Sequence, residues 1–127
     1  MNKKISGILI HPTSFPGKYG CGDLGEGAYR VIDLLKRYDQ KILQILPLNP
    51  TGYADSPYSS FSAFAGTPYI ISFDELIEKG YLKKSDLKDY PNFEPNRVDY
   101  GGIYVHNFKI LRIAYKRFLK TTQPDSY

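Results

Sequence analysis

Residues 41–48 read KILQILPL, a short aliphatic run interrupted by Gln44 and stopped by Pro47 and Pro50. Upstream, residues 5–10 read ISGILI, a second apolar run that leads into the turn-forming sequence HPTSFPGKYGCG. Short, near-continuous apolar runs bounded by proline and glycine are typical of strands that are buried on both faces of a parallel sheet. The two runs therefore predict two buried parallel strands.

Between these runs the apolar residues recur at helical spacing: Leu24, Ala28, Val31, Ile32 and Leu35. Asp23 precedes this pattern at a position suited to an N-cap, and the pattern stops near Tyr38 or Asp39. A strand, a helix and a strand over residues 5–48 form a βαβ unit, in which the strands are parallel and the crossover is right-handed. The sequence thus indicates the α/β class.

Three further elements are predicted after residue 66. TPYIISF, residues 67–73, is expected to be extended, and Asp74 is expected to cap a short helix that ends at Gly80. A polar stretch with a short helix at residues 84–87 follows. The last helix carries one apolar stripe, with Lys and Arg residues opposite: Tyr104, Phe108, Leu111, Tyr115, Phe118 and Leu119.

These elements do not make a complete core. Two flush apolar strands cannot shield each other from water, and an aromatic helix needs a large surface to cover. We therefore expect the chain to form the opening part of a larger sheet or barrel. Either further protein or another chain would complete it.

The loop after the second apolar run, residues 49–66, has the most unusual chemistry. Residues 53–64, YADSPYSSFSAF, interleave aromatic rings with serine hydroxyls and contain no Lys or Arg. Sugars present apolar faces and a rim of hydroxyls, so Tyr53, Ser56 and Tyr58 have the side chains that a sugar site needs. The alternative is a structural loop whose rings plug the end of a core. The residue chemistry favours neither reading.

Composition excludes several other classes. The 17 basic and 13 acidic residues are spread along the chain, which does not favour nucleic acid as a partner. Cys21 is the single cysteine, which rules out an internal disulfide and a cysteine metal cage and suits a reducing cytoplasm. The first residues lack the apolar run of a signal peptide or membrane span, so we expect no membrane association.

The sequence shows no recognisable arrangement of catalytic residues. His11 follows the first run, where a loop anchor is favoured over a catalytic role. Glycoside chemistry needs two carboxylates across a sugar ring, and neither Asp55 nor Asp99 has a recognisable partner. No catalytic residue is therefore assigned.

Three segments carry a family resemblance: GILIHPTSFPGKYGCGDLG, QILPLNPTGYADSPYSSFSAFAGTPYII and RVDYGG. They resemble the amino-terminal region of the 4-α-glucanotransferases, or amylomaltases, of glycoside hydrolase family 77. The resemblance implies a (β/α)8 barrel with an insertion at roughly residues 74–122, incomplete in this chain. It also implies transfer of α-1,4-glucan segments between malto-oligosaccharides by a retaining double displacement, without metal or organic cofactor.

Site residues follow from the same resemblance. Ser56 and Tyr58 match positions that line the donor subsites, and Asp55 matches a loop organiser or sugar-hydroxyl acceptor. Tyr53 and Tyr100 match aromatics of a secondary glucan-binding groove. Four positions depart from the usual motif, which has Leu instead of Phe15, Trp instead of Leu43, and Gly instead of Asn49 and Ala54.

The catalytic carboxylates of the family come from later barrel strands, so they are expected beyond residue 127. A barrel of this type needs about 250 residues, and the 127-residue piece alone is predicted to be inactive. Two alternatives stay open: a non-catalytic glucan-binding module, and a truncated fragment with a structural role only. Saturable maltoheptaose binding by a folded monomer of the chain would favour the module.

Overall fold

A computed structural model describes residues 4–121, apart from the side chain of Tyr53. Its strands and helices, in chain order, are β1 (Gly7–Ile10), α1 (Glu26–Arg37), β2 (Ile42–Ile45), α2 (Phe73–Glu78) and α3 (Tyr100–Thr121). Short 3₁₀ turns lie at Pro12–Ser14, Tyr53–Asp55, Pro68–Ile70 and Lys84–Leu87. None of the helices in the described part of the chain is long and apolar enough to cross a membrane.

β1 and β2 pair in parallel, with Gly7 opposite Ile42 and Ile10 opposite Ile45. This pairing confirms the predicted βαβ unit. The prediction that both strands are buried is wrong for the chain as it stands, because Ile8, Leu9, Ile42 and Ile45 are each between 43% and 56% exposed. A sheet of two strands leaves its apolar faces open, since residues 4–121 supply no third strand.

Helix α1 is where the apolar spacing placed it, but its N-terminus differs from the prediction. Gly25 occupies the N-cap position and makes no side-chain capping bond. Asp23 lies two residues earlier and accepts a 2.8 Å hydrogen bond from the Gly25 amide. The carboxylate therefore stabilises the turn that leads into α1 and does not cap the helix.

The segment before α2 is not a strand. Pro68 begins a 3₁₀ turn, as its fixed φ allows, and the turn ends at Ile70. The cap of α2 is Ser72, whose hydroxyl accepts from the Glu75 amide, and not Asp74 as predicted. Gly80, at a φ of +78°, follows α2 as expected for a helix stop.

The core lies between α2 and α3 and consists of Phe73, Leu82, Ile110 and Ala114. The predicted apolar stripe of α3 is covered only in part: Leu111 packs against this core and Phe118 on Tyr81. Tyr104, Tyr115 and Leu119 are more than half exposed. The buried residues of α3 are Ile103, Asn107, Ile110 and Ala114. The polar Asn107 can be buried with them because its side-chain oxygen accepts a hydrogen bond from the Tyr90 hydroxyl.

Candidate functional site

The carboxyl ends of β1 and β2 meet at one edge of the sheet, and His11 ties them together. Its Nε2 donates to the carbonyl oxygen of Pro47, just beyond β2, over 3.3 Å. Its Nδ1 is then the acceptor, and it lies 2.7 Å from the hydroxyl of Thr13. Burial lowers the pKa of His11, although the Pro47 carbonyl acts in the opposite direction. This neutral imidazole anchors the loop, as the sequence indicated.

Tyr100, the first residue of α3, reaches the same edge. Its hydroxyl lies 2.9 Å from that of Thr13, which is buried. Because Thr13 gives its proton to His11, Tyr100 is the donor to Thr13. The Tyr100 ring packs on Tyr69, with the ring centroids 5.6 Å apart. Part of the Tyr100 side chain is therefore committed to contacts within the protein.

The 49–66 loop leaves the same edge after β2 and carries Ser56 and Tyr58. The Ser56 hydroxyl accepts from the Tyr58 amide over 3.4 Å, and the Ser56 carbonyl accepts from the Ser59 amide over 3.0 Å. The turn is closed by a 2.6 Å bond from the Gly52 amide to the Ser59 carbonyl. Ser56 is half-buried, whereas the Tyr58 ring projects into solvent.

Asp55 is half-buried at the start of this turn. The Thr51 hydroxyl donates to its carboxylate over 3.4 Å. Burial raises the pKa of Tyr69, and the negative charge of Asp55 adds to that rise. The negative charge of Asp55 therefore acts on Tyr69, the ring partner of Tyr100.

Of the five predicted residues, Ser56, Tyr58 and Asp55 lie on the loop that leaves this edge, and Tyr100 is joined to the edge through Thr13. The Tyr53 side chain lies outside the described residues. Sequence reasoning missed Tyr69 and Thr13. Their ring and hydroxyl partners are distant in the chain, so the sequence alone does not show these contacts.

The side chains of this edge and its loop are rich in hydroxyls and mostly uncharged. They include the exposed ring of Tyr58, the serine hydroxyls of the loop and the carboxylate of Asp55. Within residues 4–121, no group of three or more His, Cys, Asp or Glu side chains is arranged to hold a metal ion. Such an arrangement suits recognition of a polyol through stacking and uncharged hydrogen bonds.

Comparison with known proteins gives consistent matches. A family profile described as 4-alpha-glucanotransferase matches residues 10–127. A 4-alpha-glucanotransferase of Synechocystis is 47% identical over 118 residues, which cover 93% of this chain and 23% of that protein. One from Thermus thermophilus is 46% identical over 119 residues, covering 94% and 23%.

A solved structure matches as well. It is an amylomaltase from Streptococcus agalactiae in complex with acarbose, with a TM-score of 0.87 and 44% sequence identity. The match covers 93% of this chain and 24% of the amylomaltase chain. The chain therefore spans about a quarter of the length of the relatives it matches.

Proposed function

The chain belongs to the 4-alpha-glucanotransferase family, glycoside hydrolase family 77, and we propose that it is the amino-terminal quarter of such an enzyme. The complete protein transfers α-1,4-glucan segments between malto-oligosaccharides by a retaining double displacement. One observation carries this proposal: the matched region includes the 49–66 loop, which carries rings and hydroxyls and begins at the carboxyl edge of β1 and β2.

In this proposal β1 and β2 are the first strands of a (β/α)8 barrel. Barrel enzymes place their active sites at the carboxyl edge of the strands, which is the edge that His11 and the 49–66 loop occupy. The exposed apolar strands and the much greater length of the relatives support further strands outside this chain. Residues 74–122 are assigned to an insertion, which includes most of α2 and all of α3; these two helices share the core of Phe73, Leu82, Ile110 and Ala114.

Each site residue then has a role. Ser56 and Tyr58 contact the glucan beside the bond that is cleaved, and Asp55 organises the loop or accepts a sugar hydroxyl. Tyr53 and Tyr100 contribute to a secondary glucan groove. The acarbose bound in the related amylomaltase supports an α-glucan as the ligand. The nucleophile and the acid/base lie beyond residue 127, no cofactor takes part, and the enzyme works in the cytoplasm.

Replacing Tyr58 by Ala in the complete protein tests this function. The wild type should convert maltotriose into glucose and longer oligosaccharides. We expect Tyr58→Ala to lower kcat/KM. The loss should correspond to about 2–4 kcal/mol of transition-state stabilisation, the size of one removed stabilising contact. Steady-state kinetics with maltotriose as donor and acceptor measure the loss.

Tyr38→Ala is the matched control, since Tyr38 is an exposed tyrosine at the end of α1, away from the loop. It should leave kcat/KM unchanged. A wild type without transferase activity would refute the function. An active wild type with equal kinetics for both variants would refute only the role of Tyr58.

A further inference from the structure

Hydrogen bonds, and not a core, hold the 49–66 loop in shape. Three of its large side chains point outward: Tyr58, Phe61 and Phe64 are 75%, 84% and 100% exposed. A loop with so little buried apolar surface has few contacts that resist local opening. Its conformation therefore depends on the polar groups that join its two ends.

Asn49 makes two of these connections with one side chain. Its Nδ2 donates to the carbonyl oxygen of Ala63 over 2.9 Å and to that of Ala65 over 3.1 Å. A side-chain amide has two N–H donors, so both are used. Beside it, the Thr67 amide donates to the Leu48 carbonyl over 2.7 Å and closes the neck of the loop.

The other bonds of the loop leave its returning half dependent on Asn49. The Ser60 hydroxyl has one proton and two acceptors, the carbonyl oxygens of Pro50 at 2.9 Å and Ser62 at 2.8 Å, so it joins the two halves of the loop at residue 60 only weakly. Beyond it, the Ser62 hydroxyl accepts from the amides of Phe64 and Ala65, which are local bonds within one turn. Between residue 60 and the neck, the Phe61 ring lies beside Gly52, and among the described residues Asn49 is the side chain that ties this segment to the outgoing half by hydrogen bonds.

We infer that Asn49 is a positioning residue for glucan binding. It lies at the base of the loop and holds the returning segment against the outgoing one. The turn that carries Ser56 and Tyr58 is thereby kept in one conformation before the ligand arrives. This inference rests on the proposed function, because it assigns Ser56 and Tyr58 to the glucan.

Asn49→Asp in the complete protein is the sharpest test. The carboxylate has nearly the shape of the amide but presents oxygens to the carbonyls of Ala63 and Ala65. If the loop is in its binding conformation in only a fraction of the molecules, the apparent affinity for the glucan falls by that fraction. We expect KM to rise about tenfold, equal to one net hydrogen bond of about 1.4 kcal/mol, while kcat at saturation stays within about twofold.

Three further variants frame this result. Asn49→Ala removes the donors without adding repulsion and should raise KM in the same direction. Asn96→Asp makes the same chemical change at an exposed asparagine outside the loop and should leave KM unchanged. In Asn49→Asp/Tyr58→Ala, the Asn49 change should have less effect than it has alone, because residues that act through one another are not additive.

Amide hydrogen exchange of residues 50–66 gives a readout independent of catalysis, and it should be faster in Asn49→Asp. Unchanged exchange and unchanged KM would overturn the inference. So would a lower kcat and melting temperature at constant KM, which indicate a merely structural role. An inactive wild type would defeat the proposed function instead, and exchange would still decide whether Asn49 holds the loop.

Discussion

Ala54 and Asp55 are two consecutive residues with left-handed backbone conformations, at φ values of +62° and +52°. This region costs a residue with a Cβ about 1–2 kcal/mol, and aspartate tolerates it better than alanine. Ala54 stands where the resembled family motif usually has glycine, which adopts such a φ freely. The turn before Ser56 therefore stores backbone strain in this chain.

Ala54→Gly should stabilise the protein. Removing the Cβ relieves the strain at Ala54, and the greater freedom of glycine in the unfolded chain offsets part of the gain. We expect the free energy of unfolding to rise by about 0.5 kcal/mol. Urea denaturation measures the change.

Ala65→Gly is the matched control in the same loop, because Ala65 does not have a positive φ. At Ala65 the substitution only increases the conformational entropy of the unfolded chain. The free energy of unfolding should therefore fall by about 0.4–1 kcal/mol. The opposite signs of the two substitutions are the test. Equal losses at both positions would show that Ala54 is not strained.

At this scale the sequence could predict residues whose chemistry is local. Ser56 and Tyr58 stand in one stretch of rings and hydroxyls, so their pattern is visible without a fold. The role of Thr13 at this edge could not be predicted, because it depends on a hydrogen bond with Tyr100, 87 residues later. Long-range partners follow from packing, which a single sequence does not display.

Among the elements, the turn at Lys84–Leu87 is fastened to α3 by an ion pair between Asp86 and Arg117. Arg117 donates to both carboxylate oxygens of Asp86 and also to the Tyr81 carbonyl. The two side chains are 14% and 30% exposed, so solvent screens the pair only in part. The hydrogen bonds from Arg117 lower the pKa of Asp86 to about 2.

This pKa predicts an acid-dependent loss of stability. An unfolded aspartate has a pKa near 3.9. Between about pH 4 and pH 2, therefore, Asp86 is mostly protonated in the unfolded chain and mostly ionised in the folded one. The stabilisation by Asp86 is full above that window and is lost as the pH falls through it. Denaturation at several pH values should show this slope.

Asp86→Asn should reduce stability at neutral pH and make the slope between pH 4 and pH 2 shallower. Near pH 2 the variant and the wild type should converge. Asp89→Asn removes a charge from an exposed aspartate three residues further on and is the control. A wild-type slope in Asp86→Asn would contradict the role of the ion pair.

The helices could be predicted from spacing, but the faces they bury could not. Helix α3 was predicted, but only part of its aromatic stripe is covered, and its buried face is formed by Ile103, Ile110 and Ala114 together with Asn107. The hydrogen bond from Tyr90 allows the polar Asn107 to be buried in that face. The sequence does not show this partner, because it lies 17 residues away in a loop.

In the whole molecule, the apolar core and the apolar strands are in different places. The buried cluster around Phe73 and Ile110 lies between α2 and α3, whereas β1 and β2 remain half exposed. The sequence predicted this imbalance, since two apolar parallel strands need neighbours on both faces. Which strands complete the sheet is not encoded in these residues.

Ile42→Lys tests whether β2 lies inside a larger barrel. In the 127-residue chain Ile42 is 45% exposed, so a lysine there keeps its ammonium in water and should cost less than about 1 kcal/mol. In the complete protein the same lysine would be buried without a partner. We expect a loss of about 3–5 kcal/mol, measured by denaturant unfolding of both forms.

Tyr38→Lys is the control, because Tyr38 is 67% exposed at the end of α1, and its cost should be small in both forms. The informative quantity is the difference between the two forms for Ile42→Lys. A large difference requires protein outside the chain to cover β2, since nothing within residues 4–121 does so. A loss below about 1 kcal/mol in the complete protein would mean that β2 stays at a surface, and the barrel would then have to be abandoned.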